Sequence, residues 1–369
     1  MRRHLVLPAA CFLTIFGLVA CAAPPPLPAD VGQLMTKLNA AVSGRDQSTF
    51  LTLTNGETSA GIRTWVWSNL SLLSQVTFKT GETDSLWANW QLPGDDQAIS
   101  SQVGSLSCAD SGCLVTDLAP QSGAAAPIWL VQPLQVLGDD QAVVLASTTA
   151  ASSDTQGWVS AAKAAQQAVA AADLGDLAAS WNGNLVVELP QDASAFAQLL
   201  GISSSADYAS TGAVTSVEES ADSSREPVAH IIVNPQTTAT LTPDDQTLLL
   251  THEAVHVATS GVPVAAGATW VSEGLAESVA VEGSPSTAAS EQTLAKTACN
   301  GGLTPPSDAA FGGTDAASQN TAYAVAQTLV GLIRSHLGGD AMTAVSALWQ
   351  GQTPSNVDLP AWSQVWCNS

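Results

Sequence analysis

His252 and His256 stand four residues apart, with Glu253 directly after the first. These are the side chains whose types and spacing could do chemistry. On a helix, positions i and i+4 share one face about a turn apart, so both imidazoles project to the same place. Imidazoles so placed can hold a divalent cation, and the Glu253 carboxylate sits beside that cation without ligating it. The pattern is H-E-x-x-H, which suits zinc-assisted hydrolysis with a physical reason at every fixed position. Five histidines in 369 residues yield it by chance only on the order of a few times in a thousand such chains.

A catalytic zinc usually has three protein ligands and an open position, so a third ligand must come from elsewhere. Glu273 lies seventeen residues after His256, in Trp270-Val-Ser-Glu-Gly-Leu-Ala-Glu277. That stretch reads as the start of a second helix, which would bring Glu273 to the metal by lying across the first. Glu277, one turn further on, suits an acceptor for a ring N–H of His252 or His256 that fixes the ligand's tautomer. The first helix carries its own punctuation. Thr242 is a good N-cap, Pro243 suits the first helical position, Asp245 completes a near capping box, and Gly261 can stop the helix. His230, in a strand-like run, and His336, near a helix C-terminus where a cation is favourable, read as structural.

Thr251-His-Glu-Ala-Val-His256 together with Trp270-Val-Ser-Glu-Gly-Leu-Ala-Glu277 resembles the gluzincin metallopeptidases. In that family a glutamate ligand follows H-E-x-x-H in an Asn/Ser-Glu-Gly context. The resemblance implies that His252, His256 and Glu273 hold one Zn²⁺ per chain and that Glu253 is the general base. It also implies a tyrosine that steadies the tetrahedral intermediate. Tyr323, in Thr321-Ala-Tyr-Ala-Val-Ala-Gln-Thr-Leu, fits that place. The resemblance covers roughly Trp158 to the C-terminus. The expected activity is peptide-bond hydrolysis on a peptide or protein substrate. The alternative is a non-catalytic surface-binding or sensing lipoprotein that keeps a degenerate peptidase fold.

Residues 1–20 read as a targeting segment, with Arg2 and Arg3 before the apolar run Leu5–Ala20. The run ends in Leu18-Val-Ala-Cys21, which resembles the bacterial lipobox, so Cys21 is the expected lipidation site. Residues 21–30 then form a lipidated, Pro-rich tether. The chain is expected to be exported and lipid-anchored at the outer face of the cytoplasmic membrane; the alternative is a secreted protein. Cys108, Cys113, Cys299 and Cys367 remain, an even number suited to two disulfides in an oxidising compartment. Three pairings exist; Cys108–Cys113 and Cys299–Cys367, one per domain, are favoured. The formal net charge of −22 becomes −24 when Arg2 and Arg3 leave with residues 1–20. A surface this acidic disfavours nucleic acid as a partner and favours basic peptides.

The expected fold class is α+β. Residues 31–150 read as an N-terminal α+β domain, with helices from Val31, Asp46 and Ser59 followed by strand-like runs. These runs are Ser74–Lys79, Ser85–Leu92, Cys113–Thr116, Pro127–Pro133 and Gln141–Ala146. The opening Leu38-Asn-Ala-Ala-Val-Ser-Gly-Arg-Asp46 resembles cone-shaped domains similar to nuclear transport factor 2. Trp65, Trp67, Trp87, Trp90 and Trp129 read as core. A Ser/Thr/Ala-rich seam, Ser147–Gln156, leads into residues 151–369, the expected zincin-like domain with a small sheet and a mainly helical C-terminal part. One of two strands, Ala213–Val217 or Ala229–Asn234, is expected to line the cleft, and the loop Cys299–Ala317 to border it.

Overall fold

The computed structural model describes residues 27–369 apart from 83, 121, 122, 313 and 314. The targeting segment and Cys21 lie outside the described residues. The chain is mixed α+β. It opens with α1 (Val31–Ser43), α2 (Gln47–Leu53) and α3 (Ala60–Leu70), capped by the side chains of Asp30, Asp46 and Ser59. Next come β1 (Gln75–Thr80), β2 (Ser85–Gln91), β3 (Ile99–Ala109) and β4 (Gly112–Asp117), an antiparallel meander in chain order.

The run Pro127–Pro133, expected as a strand, is instead the short helix α4 (Ile128–Val131). Its position explains the difference. Buried Asn69 donates to the carbonyls of Trp129 and Gln132 and accepts from the Leu134 N–H. Those backbone groups are therefore satisfied without a strand partner. β3 and β5 (Leu134–Gly138) are additional to the expected strands. β3 is rich in serine and lacks a clean apolar alternation.

A second sheet joins β5, β6 (Ala142–Ser147), β7 (Leu185–Leu189), β8 (Ala213–Glu218) and β9 (Val228–Val233) in the order β5-β6-β7-β9-β8. Between β6 and β7 run α5 (Ser152–Ala171), and between β7 and β8 α6 (Ala193–Leu199). Strands β6, β7 and β9 are parallel; β5 and β8 are antiparallel edges. Residue 150, the expected boundary, lies just after two strands that hydrogen-bond into this sheet. The sheet alternates its side chains between two cores with period two. Val143, Leu145, Val186 and Ile232 join the core of the N-terminal meander, which holds the edge-to-face pair Trp90–Trp129. Val144, Val187, Ile231 and Ala213 join a second core against α5 and the helices that follow.

Those helices are α7 (Pro235–Thr238), α8 (Pro243–Thr259), α9 (Thr269–Glu282), α10 (Pro285–Thr297), α11 (Ala316–Leu337), α12 (Ala341–Trp349) and α13 (Leu359–Asn368). Helix α8 packs between α5 and α9, and α9 packs on α11. The α8 capping box forms as expected between Thr242 and Asp245. Gly261 follows the helix end but not in the left-handed conformation of a Schellman cap. A Cβ there would meet the Ser180 hydroxyl, which would have to rotate away. Among the described residues, no helix is long and apolar enough to cross a membrane.

Both favoured disulfides are present: Cys108–Cys113 closes the β3–β4 hairpin, and Cys299–Cys367 ties the end of α10 to α13. On the chain-entropy account, the 68-residue separation of the second contributes about 4 kcal/mol.

His230, on β9, is buried among carboxylates and away from the cleft. Its Nε2 lies 2.9 Å from Asp95, and its Nδ1 3.4 Å from Glu188 and 3.9 Å from Glu218. Burial opposes a charged imidazole, but Asp95 and Glu188 outweigh it and hold His230 well above its usual pKa of 6.5. Burial likewise pushes Glu218 from 4.5 up to about 7, against the pull of His230. Both groups hold their protons more tightly folded than unfolded, so they favour the fold below the unfolded pKa and lose that contribution as pH rises through the folded one. For Glu218 the loss runs from 4.5 to about 7; for His230 it starts near 6.5 and continues upward. The thermal midpoint should therefore fall between pH 5 and pH 9. A midpoint that climbs across that range would contradict the arrangement. His336, by contrast, stacks on Trp362 and bonds the Leu332 carbonyl through Nδ1.

Candidate metal centre

Helix α8 presents His252 and His256 on one face, and α9 crosses that face with Glu273. Gly274 makes the next contact possible: a Cβ there would run into the Ala326 carbonyl oxygen on α11. The Glu-Gly pair thus carries a ligand on one side and admits a neighbouring helix on the other. Helix α11, so admitted, brings Tyr323 over the site.

Three ligand atoms converge. His252 Nε2 and His256 Nε2 are 3.1 Å apart, and Glu273 Oε2 lies 3.2 Å from the first and 3.3 Å from the second. A tetrahedral zinc with bonds of about 2.0–2.1 Å spaces its ligand atoms about 3.3 Å apart, so the donor set fits such an ion in type, number and spacing. Two imidazole nitrogens and one carboxylate oxygen also form the one group of at least three suitable side chains that could hold a metal among the described residues.

The surroundings favour that arrangement. Glu277 accepts from His252 Nδ1 at 2.7 Å, so the proton that a metal would displace is the one on Nε2, whose lone pair then faces the other ligand atoms. Ser272 Oγ stands 3.4 Å from His256 Nδ1. In the protein alone, burial opposes charge on His252, Glu273 and Glu277. The charges and hydrogen bonds of His256 and His252 nevertheless hold the Glu273 carboxyl well below its ordinary range. Glu273 and Glu277 in turn hold His252 well above its own, despite burial. A cation that takes the site must displace that proton, so affinity falls as pH falls. Burial, and then the adjacent Glu277, push Glu291 on α10 up to about 9.

Glu253 is 8% exposed. Its Oε2 accepts from Thr215 Oγ1 on β8 at 2.7 Å. The Tyr323 ring meets His252 at 5.8 Å and Phe311 at 5.2 Å, both edge-on. Burial, and then the charges of Glu273, Glu253 and Glu277, raise its hydroxyl above the ordinary value. Tyr323 therefore stays protonated and remains a hydrogen-bond donor.

All these groups border one open cleft of about 1310 Å³. Edge strand β8 supplies one wall through Ala213, Thr215 and Val217; Leu248, Leu249 and Leu294 form an apolar stretch of another. Of the two candidate strands, β8 is therefore the one at the cleft. Phe311, from the expected bordering loop, also lines it. A smaller hollow of about 70 Å³ near Gly94 and Trp181 contains none of the predicted site residues.

Thr215 and Ser272 are site residues that the sequence reading did not assign. Ser272 had a local signal, being adjacent to Glu273. Thr215 had only its place in an expected strand, since 38 residues separate it from Glu253. No family model, curated protein or solved structure matches the chain.

Proposed function

We propose that the chain is a zinc-dependent peptidase of the gluzincin type, acting on peptide or protein substrates at the outer face of a bacterial membrane, to which a lipidated Cys21 would anchor it. In this reading residues from about 150 onward form a zincin-like domain. The N-terminal helices and curled sheet form a cone-shaped unit similar to nuclear transport factor 2. What carries the proposal is the 3.1–3.3 Å triangle of His252, His256 and Glu273 at the floor of an open cleft. Glu253 and Tyr323 border the same cleft.

When bound, zinc would lower the pKa of water at the site and polarise the scissile carbonyl. The chain's own residues do the rest. Glu253 takes a proton from the attacking water as its oxygen bonds to the carbonyl carbon, then delivers it to the amine nitrogen as the C–N bond breaks. Tyr323, held protonated, donates to the oxygen on which negative charge develops. Glu277 keeps His252 in the tautomer that ligates. Edge strand β8 offers unpaired backbone groups to an extended substrate.

The four cations after residue 150 are engaged elsewhere. Lys163 pairs with Asp139, Arg225 with Asp96 and Arg334 with Glu282. Lys296 sits over the Trp366 ring. Among the described residues the cleft lining holds Asp245, Glu253, Glu273, Glu277 and Glu291 and no lysine or arginine, which favours neutral or basic peptide segments. Digestion of an unbiased peptide library tests the proposal. Cleavage that stops on chelation and returns with zinc is the expected result. An intact library beside a zinc-loaded protein would favour the binding-lipoprotein alternative.

A further inference from the structure

Building on the peptidase proposal above, we infer that Thr215 is a positioning residue for hydrolysis, fixing the Glu253 carboxylate from the strand that lines the cleft. Thr215 Oγ1 lies 2.7 Å from Glu253 Oε2 and 3.2 Å from the Glu253 main-chain oxygen. A threonine hydroxyl has one proton to give, and the shorter contact, to the carboxylate oxygen, is the stronger bond. One lone pair of Oε2 is therefore engaged, and Oε1 is the less encumbered oxygen to take the proton of the attacking water.

The strength of the device lies in what holds Thr215. Its branched side chain has few χ1 choices, so the strand backbone sets the hydroxyl's direction. That backbone pairs with β9 over six positions, from Ala213 opposite Val233 to Glu218 opposite Val228. Thr215 itself stands opposite Ile231, which is fully buried. The donor is thus anchored to the sheet core rather than to a loop. Glu253, one residue from a metal ligand, is fixed at its Cα by α8 and at its carboxylate by β8.

β8 is also the outermost strand of its sheet, and Ala213, Thr215 and Val217 face the cleft. A peptide laid along β8 and the carboxylate that activates water are then both referenced to the same residue. Catalysis depends steeply on such registration, whereas substrate affinity does not pass through the hydroxyl. Loss of the hydroxyl should therefore act on kcat and spare KM.

The test compares Thr215→Val, which keeps the branched shape without the hydroxyl, with Thr215→Ser, which keeps the hydroxyl. Both are made in the full chain and loaded with zinc. Thr215→Val should lose about tenfold or more in kcat, with KM within about twofold and zinc content unchanged. Thr215→Ser should recover most of the rate. Crystal structures of the two variants give a readout independent of turnover: Glu253 should shift or take several orientations in Thr215→Val and keep one in Thr215→Ser. Wild-type kcat in Thr215→Val, or an unmoved Glu253 in its crystal structure, would overturn the assignment. If the wild type cleaves nothing, the peptidase proposal fails on its own. The crystal structures then decide the Thr215 contact, a displaced carboxylate supporting it and an unmoved one overturning it.

Discussion

Glu253→Gln is expected to keep one zinc per chain and to lower kcat for peptide cleavage by between about a hundredfold and ten-thousandfold, the range spanned by positioned general bases. The amide matches the carboxylate in size and can still accept from Thr215 through its oxygen, so fold and metal site should persist. What it cannot do is take a proton from water at neutral pH. Glu253 is not among the three converging ligand atoms, so the metal does not depend on its charge. Zinc analysis and kcat, measured on the same preparation, separate these effects. Wild-type turnover in Glu253→Gln would remove Glu253 from the chemistry.

His252→Ala should do what Glu253→Gln does not, losing metal and activity together. Two of the three converging atoms remain, His256 Nε2 and Glu273 Oε2, and two ligands leave the ion mostly to water. The substitution also takes the His252 bond from Glu277, whose carboxylate is 12% exposed, leaving Glu291 as its neighbour. A lost hydrogen bond to a charged group costs about 1.5–3 kcal/mol. A modest fall in thermal midpoint with a native circular dichroism spectrum is thus expected beside the loss of zinc. Retention of stoichiometric zinc by His252→Ala would show that the ion sits elsewhere.

The parts of this molecule that could be read from sequence are the locally determined ones. Thr242, Pro243 and Asp245 announce α8 because a capping box is a four-residue affair. His252, Glu253 and His256 share a helix, so their relation follows from helical geometry alone. Glu273 was accessible through its distance from His256 and its Ser-Glu-Gly context; the Ala326 carbonyl now gives the glycine a reason. The rest is tertiary. The apolar run around Trp129 looks like a strand until Asn69, about sixty residues away, satisfies its carbonyls. β5 and β6 look like the end of an N-terminal unit until β7 pairs with β6 in parallel. A single polar side chain such as Thr215 carries no periodicity or spacing by which its contact with Glu253 could be found.

The central claim is that His252, His256 and Glu273 hold a catalytic zinc ion. Elemental analysis of the purified protein, beside its His252→Ala/His256→Ala double variant, tests it most directly. About one zinc per wild-type chain, absent from the double variant, is the predicted result. A wild-type protein that binds no metal after zinc is offered, or a double variant that retains it, would contradict the claim.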